Sequence, residues 1–91
     1  MTFKVIIQPQ AMLDLERLAK SEPKAFAKAN RFIAELREHP KTGLGHPEPL
    51  KGLGDNVYSR HITAMDRIIY EIFEDHLIVL IIELEGHYQD K

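Results

Sequence analysis

The sequence predicts an α+β sandwich: a strand, two helices, then a three-stranded antiparallel meander, with the helical hairpin on one sheet face. Three observations carry this. β-branched and aromatic runs stand near the start of the chain and again between 56 and 85. Two stretches of helical apolar spacing lie between them, separated by Ser21-Glu22-Pro23. The run 77–82 is apolar throughout, as in a central strand covered on both faces. At 91 residues the chain suffices for one domain, residues 1–91, with one modest core.

Each element has its own signal. "FKVII" at 3–7 is the first strand. Pro9 suits a first helical turn, because the N–H it lacks would be unpaired there. Ala11, Leu15, Leu18 and Ala19 then share one helix face. Ser21 offers a cap and Pro23 opens a second helix. Phe26, Ala29, Ile33 and Leu36 form its apolar stripe, and Pro40 stops it. "NVYSRHIT" (56–63), "RIIYEIF" (67–73) and "LIVLIIELE" (77–85) are the meander, with Glu74-Asp75-His76 as a hairpin turn.

Composition narrows the chemistry. There is no cysteine, so disulfides, a thiolate nucleophile and a thiolate zinc site are excluded, and a reducing cytoplasm suits the chain. "MTFKVIIQPQ" is too short an apolar run for a signal peptide or a membrane span. Net charge is −2, but unevenly spread. Residues 1–67 hold 11 Lys/Arg against 8 Asp/Glu, and residues 68–91 hold 1 against 6. The basic part could face a phosphate backbone.

Residues 40–54 hold three of the five prolines and four of the five glycines. A loop this long in a small domain is usually functional or disordered, and its prolines argue against disorder. Within it, "GHPEPLKG" (45–52) places His46 and Glu48 each before a proline, where the backbone is held extended. A stiffly held carboxylate suits a general base, although the same glutamate could simply solvate a turn. Lys51, Arg60 and Arg67 supply cations nearby in sequence. If the turn pairs Ile62 with Arg67, then Arg60 and Arg67 share a sheet face. A one-residue bulge puts His61 there instead. Either arrangement could stabilise a phosphate in a transition state, or serve ion pairs with Asp55 and Asp66. His87-Tyr88 near the end offers a general acid and a group that bonds or stacks on a base, or else a frayed tail. The other histidines have no metal-type spacing, and no phosphate-cradling glycine loop or nucleophile constellation is present.

Together these residues form the set that metal-free RNA cleavage needs. A base takes the proton of the ribose 2′-OH, cations stabilise the phosphorane, and an acid protonates the leaving 5′-oxygen. Neither metal nor cofactor is called for.

"GHPEPLKG", "YSRHIT", "DRIIYEI" and the late "GHY" resemble the YoeB/Txe branch of the RelE toxin superfamily in order and spacing. The resemblance implies a RelE-like (microbial RNase-like) fold. It also implies a cytoplasmic toxin of a toxin–antitoxin pair that enters the ribosomal A site, contacts rRNA and cleaves mRNA. Its partners would be a cognate antitoxin, the ribosome and mRNA, with homodimers known in the branch. It implies Glu48 as general base, His87 as general acid, Arg67 as the phosphate-stabilising arginine, Lys51 as a supporting cation and Tyr88 as an RNA contact. Arg60 and His61 are further expected RNA contacts. The chain differs from the usual pattern at His61, where arginine is common, and at Glu85, where a cation is usual. Two other readings belong with this resemblance: a non-enzymatic, ParE-like gyrase inhibitor, and a degenerate toxin that retains only antitoxin binding.

Overall fold

The computed structural model describes residues 2–43, 45, 47–50, 52–54 and 56–85. Its elements run β1 (Lys4–Ile7), α1 (Pro9–Ser21), α2 (Pro23–Leu36), β2 (Glu48–Pro49), β3 (Val57–His61), β4 (Arg67–Phe73) and β5 (Ile78–Glu85). The five strands form one mixed sheet in the order β1-β5-β4-β3-β2. The expected sandwich is therefore present, with three corrections. The loop contributes a short edge strand, β2, antiparallel to β3. β1 lies parallel to β5, with Lys4 opposite Ile78 and Ile7 opposite Ile81. The apolar strand β5 is central but is covered on one face only: Val79 and Ile81 are buried, whereas Ile78, Leu80 and Ile82 are half-exposed.

The core lies between the helices and one sheet face. Ala11, Leu15 and Leu18 of α1, with Ala25, Ala29, Phe32 and Leu36 of α2, pack on Ile68, Tyr70, Ile72, Val79, Ile81 and Leu84. Phe26 and Ile33, expected in the α2 stripe, sit at its margin, and Phe32 takes the central place. Ser21 does not cap α2. It ends α1, where its hydroxyl donates to the Arg17 carbonyl at 3.0 Å, and Glu22 joins the two helices. The turn at Glu74–His76 is a single 3₁₀ turn closed by Leu77 in the left-handed region at φ 54°.

Two polar devices fix the sheet. In the β3–β4 turn, the Thr63 hydroxyl accepts from the Asp66 and Met65 amides and donates to the Asp66 carboxylate, at 2.9, 3.1 and 2.9 Å. Asp66 is thus spent on the turn, and the register it sets pairs His61 with Arg67. The second device is a β-bulge opposite Ile69 and Tyr70, where the β5 partner jumps from Glu83 to Ile81. An unbroken period of two would put Glu83 and Glu85 on the same side as Val79 and Ile81, inside the core. The extra residue turns Leu84 into the core and sends both glutamates to the opposite face. Past the end of β1, no strand among the described residues meets the Leu84 amide. The Asp14 carboxylate of α1, 3 % exposed, accepts from it at 2.9 Å. Gln10 and Arg17 bond its other oxygen at 2.9 and 3.2 Å.

Candidate active site

The sheet face turned away from the helices carries the titratable residues. Directly opposed residues in antiparallel strands share a face. One row runs Glu48, Ser59, Ile69, Glu83, and the next runs His61, Arg67, Glu85. Val57, Ser59 and Ile69 give this face a buried floor. The Ser59 hydroxyl in that floor has no hydrogen-bond partner among the described residues.

Glu48 reaches this face because the loop that carries it is locked. The lock is Arg60, whose side chain is fully buried on the helix side of β3. Its Nε donates to the Tyr70 hydroxyl at 3.1 Å, and that hydroxyl donates to the Pro40 carbonyl at 2.7 Å. Its Nη1 pairs with Glu35 of α2, and its Nη2 donates to the His39 and Thr42 carbonyls. Tyr70 stacks on Tyr58 at 6.1 Å between centroids, and burial raises its hydroxyl's pKa. Farther along, the His61 amide donates to the Gly45 carbonyl at 2.8 Å. Gly45 has φ +78°, and a Cβ there would come within 2.6 Å of the Phe32 ring and 2.9 Å of the His61 carbonyl. Only glycine lets the loop lie this close before it enters β2.

Arg60 was expected to contact RNA, and the register overturns that. With His61 opposite Arg67, Arg60 points into the core and its guanidinium is consumed there. His61 takes the place on the open face, half-exposed, with Nε2 3.5 Å from Glu48 Oε1. Arg67 joins them on that face, and its Nε and Nη2 bond Glu85 Oε1 at 3.0 and 2.9 Å. The structure therefore brings Glu48, His61 and Arg67 together. Lys51, His87 and Tyr88 lie outside the described residues.

Glu83 and Asp14 were missed in the sequence. Partial burial, a hydrogen bond with Glu85 and that residue's charge raise the Glu83 carboxyl's pKa. The signal for Asp14 was an acidic residue on the apolar stripe of α1, three positions after Ala11 and four before Leu18. Among the described residues at this end of the face, Glu48, Glu83 and Glu85 outnumber the one permanent cation, Arg67. The basic excess of residues 1–67 is thus not gathered here. A cleft of about 490 Å³ continues past His61 between Thr63, Ala64 and Lys28 of α2.

This arrangement can hold an anionic substrate at Arg67 and remove a proton at Glu48. It is also shared. The family model of the YoeB-like toxin of bacterial type II toxin–antitoxin systems matches residues 7–88. Toxin YoeB of Streptomyces coelicolor is 36% identical over 75 residues, covering 82% of this chain and 87% of that protein. The YoeB/ParE toxin from Agrobacterium tumefaciens superposes with a TM-score of 0.83 at 30% identity, over 94% of this chain and all of that one. YoeB from Staphylococcus aureus is similar as a dimer, with a TM-score of 0.79 at 27% identity. In a heterotetrameric complex with the antitoxin YefM its TM-score is 0.77 at 26% identity, and each comparison spans 97% of this chain and 100% of the other.

Proposed function

This chain belongs to the YoeB-like toxins of bacterial type II toxin–antitoxin systems, and from that premise we propose a ribosome-dependent endoribonuclease that cuts mRNA in the ribosomal A site and so inhibits translation. The observation that carries this reading is the placing of Glu48 beside the His61–Arg67 row on one open sheet face. Glu48 takes the proton from a ribose 2′-OH. The freed oxygen attacks the adjacent phosphorus. Arg67, with Lys51, stabilises the charge that grows on the phosphorane oxygens. His87 gives a proton to the leaving 5′-oxygen, and Tyr88 orients the RNA. The products carry a 2′,3′-cyclic phosphate and a 5′-hydroxyl. His61 holds the base and lines the RNA path. The scheme needs no metal or cofactor.

The partners follow from the same reading: the A site and its rRNA, mRNA, and a cognate antitoxin like the one bound to the Staphylococcus aureus relative. A homodimer is a further assembly, as for that relative's dimer. The cytoplasm is the compartment where ribosomes are met. Among the described residues no helix is long and apolar enough to cross a membrane.

Toe-printing of translating ribosomes tests the proposal. The wild type gives codon-located cleavage, and Glu48→Gln lowers its rate by roughly 10²-fold or more, the usual contribution of a general base. Full activity in Glu48→Gln overturns the mechanism. A DNA-damage response without mRNA cleavage points to a gyrase inhibitor. Absent growth arrest with antitoxin binding intact points to a degenerate toxin.

A further inference from the structure

The guanidinium edge of Arg67 is already occupied. Nε and Nη2 both donate to Glu85 Oε1, and these adjacent donors are the ones a guanidinium offers to a phosphate. A carboxylate therefore sits where a phosphate oxygen would. The position is built by the backbone: Glu85 lies directly opposite Arg67, and the bulge in β5 turns it to this face. Glu83 stands two positions before Glu85 on the same face, and His61 flanks Arg67 from β3. The two paired side chains are 36% and 40% exposed, so an anion from solvent can reach and exchange with the pair.

We infer that Glu85 is an internal competitor for phosphate at Arg67, and so the residue that sets how tightly this face takes a phosphodiester. The inference rests on the nuclease reading for the identity of the phosphodiester, though not for the competition itself. A phosphate entering the site must displace Glu85, which then stays nearby as a like charge. Removing that charge strengthens anion binding without adding any new contact.

Inorganic phosphate at constant ionic strength is the probe, followed by NMR at the Arg67 Nε–H resonance. Glu85→Gln keeps the shape of the side chain and removes its charge. Its phosphate affinity rises about two- to fivefold, equivalent to ~0.4–1 kcal/mol, the range of an exposed ion pair. In an Arg67→Gln background, read at the backbone amides of His61 and Glu85, the same change has no effect. Unchanged or weaker binding in Glu85→Gln overturns the inference, as does a gain that persists without Arg67. Cleavage of mRNA on programmed ribosomes is measured in parallel. If the wild type does not cleave, the nuclease reading fails, while the phosphate titration still decides the role of Glu85.

Discussion

Replacing Arg60 by methionine should be among the most damaging single changes in this chain. The methionine fills much of the arginine's volume, so the loss is mainly polar. It strands the His39 and Thr42 carbonyls and leaves Glu35 without the buried guanidinium it pairs with. Breaking a buried ion pair from one side costs about 3–5 kcal/mol. The Glu35 side chain is 22% exposed, so water recovers part of that, which favours the lower end, ~3 kcal/mol. For a domain of this size each kcal/mol shifts Tm by about 4–8 °C, giving a fall of roughly 12–24 °C. Urea titration and thermal melting followed by circular dichroism measure it. Arg60→Lys should recover less than half, because one ammonium cannot span a carboxylate, a hydroxyl and two carbonyls on separate elements. A loss below ~1 kcal/mol in Arg60→Met would refute the reasoning, since that is the scale of an exposed ion pair.

Two further outcomes test the supports of the site. Asp14→Ala leaves the Leu84 amide unpaired at the bulge, costing about 1–3 kcal/mol, and amide exchange at Leu84 accelerates. Asp14→Asn keeps an oxygen acceptor and recovers part of the loss, whereas wild-type exchange at Leu84 in Asp14→Ala would show that α1 does not hold β5. Glu83→Gln should matter more as pH rises. The folded-state pKa of Glu83 lies above the ordinary 4.5, so the folded chain holds that proton more tightly than the unfolded one, and wild-type stability falls as pH climbs from 4.5 through the raised value. The variant lacks that decline and gains on the wild type across the window. Parallel stability–pH curves for the two proteins would count against the Glu83–Glu85 coupling.

Local signals were legible in the sequence, and long-range ones were not. Residues 67–73 form β4 as expected, because five of the seven, Ile68, Ile69, Tyr70, Ile72 and Phe73, are β-branched or aromatic. The two-residue strand β2 carries no such pattern, since Glu48-Pro49 is a strand only because β3 offers it a partner. The parallel pairing of β1 with β5 joins residues more than seventy positions apart, and no local propensity encodes it. The candidate site turned on register. The sequence allowed either Arg60 or His61 on the same face as Arg67, and a one-residue difference decides which side chain is inside. What settled it was the Thr63–Asp66 turn, whose serine-and-threonine-type bonding was readable in kind but not in register. Glu83 and Glu85 depended on a bulge that no alternation of "LIIELE" reveals. The stiffness of the Glu48 loop was read from its prolines, and that was half the cause. The other half is a buried guanidinium supplied from outside the loop.

The parallel pairing of β1 with β5 also fixes an order of events in synthesis. β1 is made first, yet among the described residues its strand partner is β5, the last of the described strands in chain order. β4 likewise waits for β5 to supply its second edge. Until residues 78–85 have left the ribosome, the first strand has nothing to bond, and the helical hairpin has only part of its sheet to cover. Non-local closure of this kind is the slow step in folding small β-rich chains. The face that carries Glu48, His61 and Arg67 is therefore completed only once β5 has closed onto β4 and β1. The interval before sheet closure is when a binding partner would meet the chain with β4 and β1 still short of a neighbour.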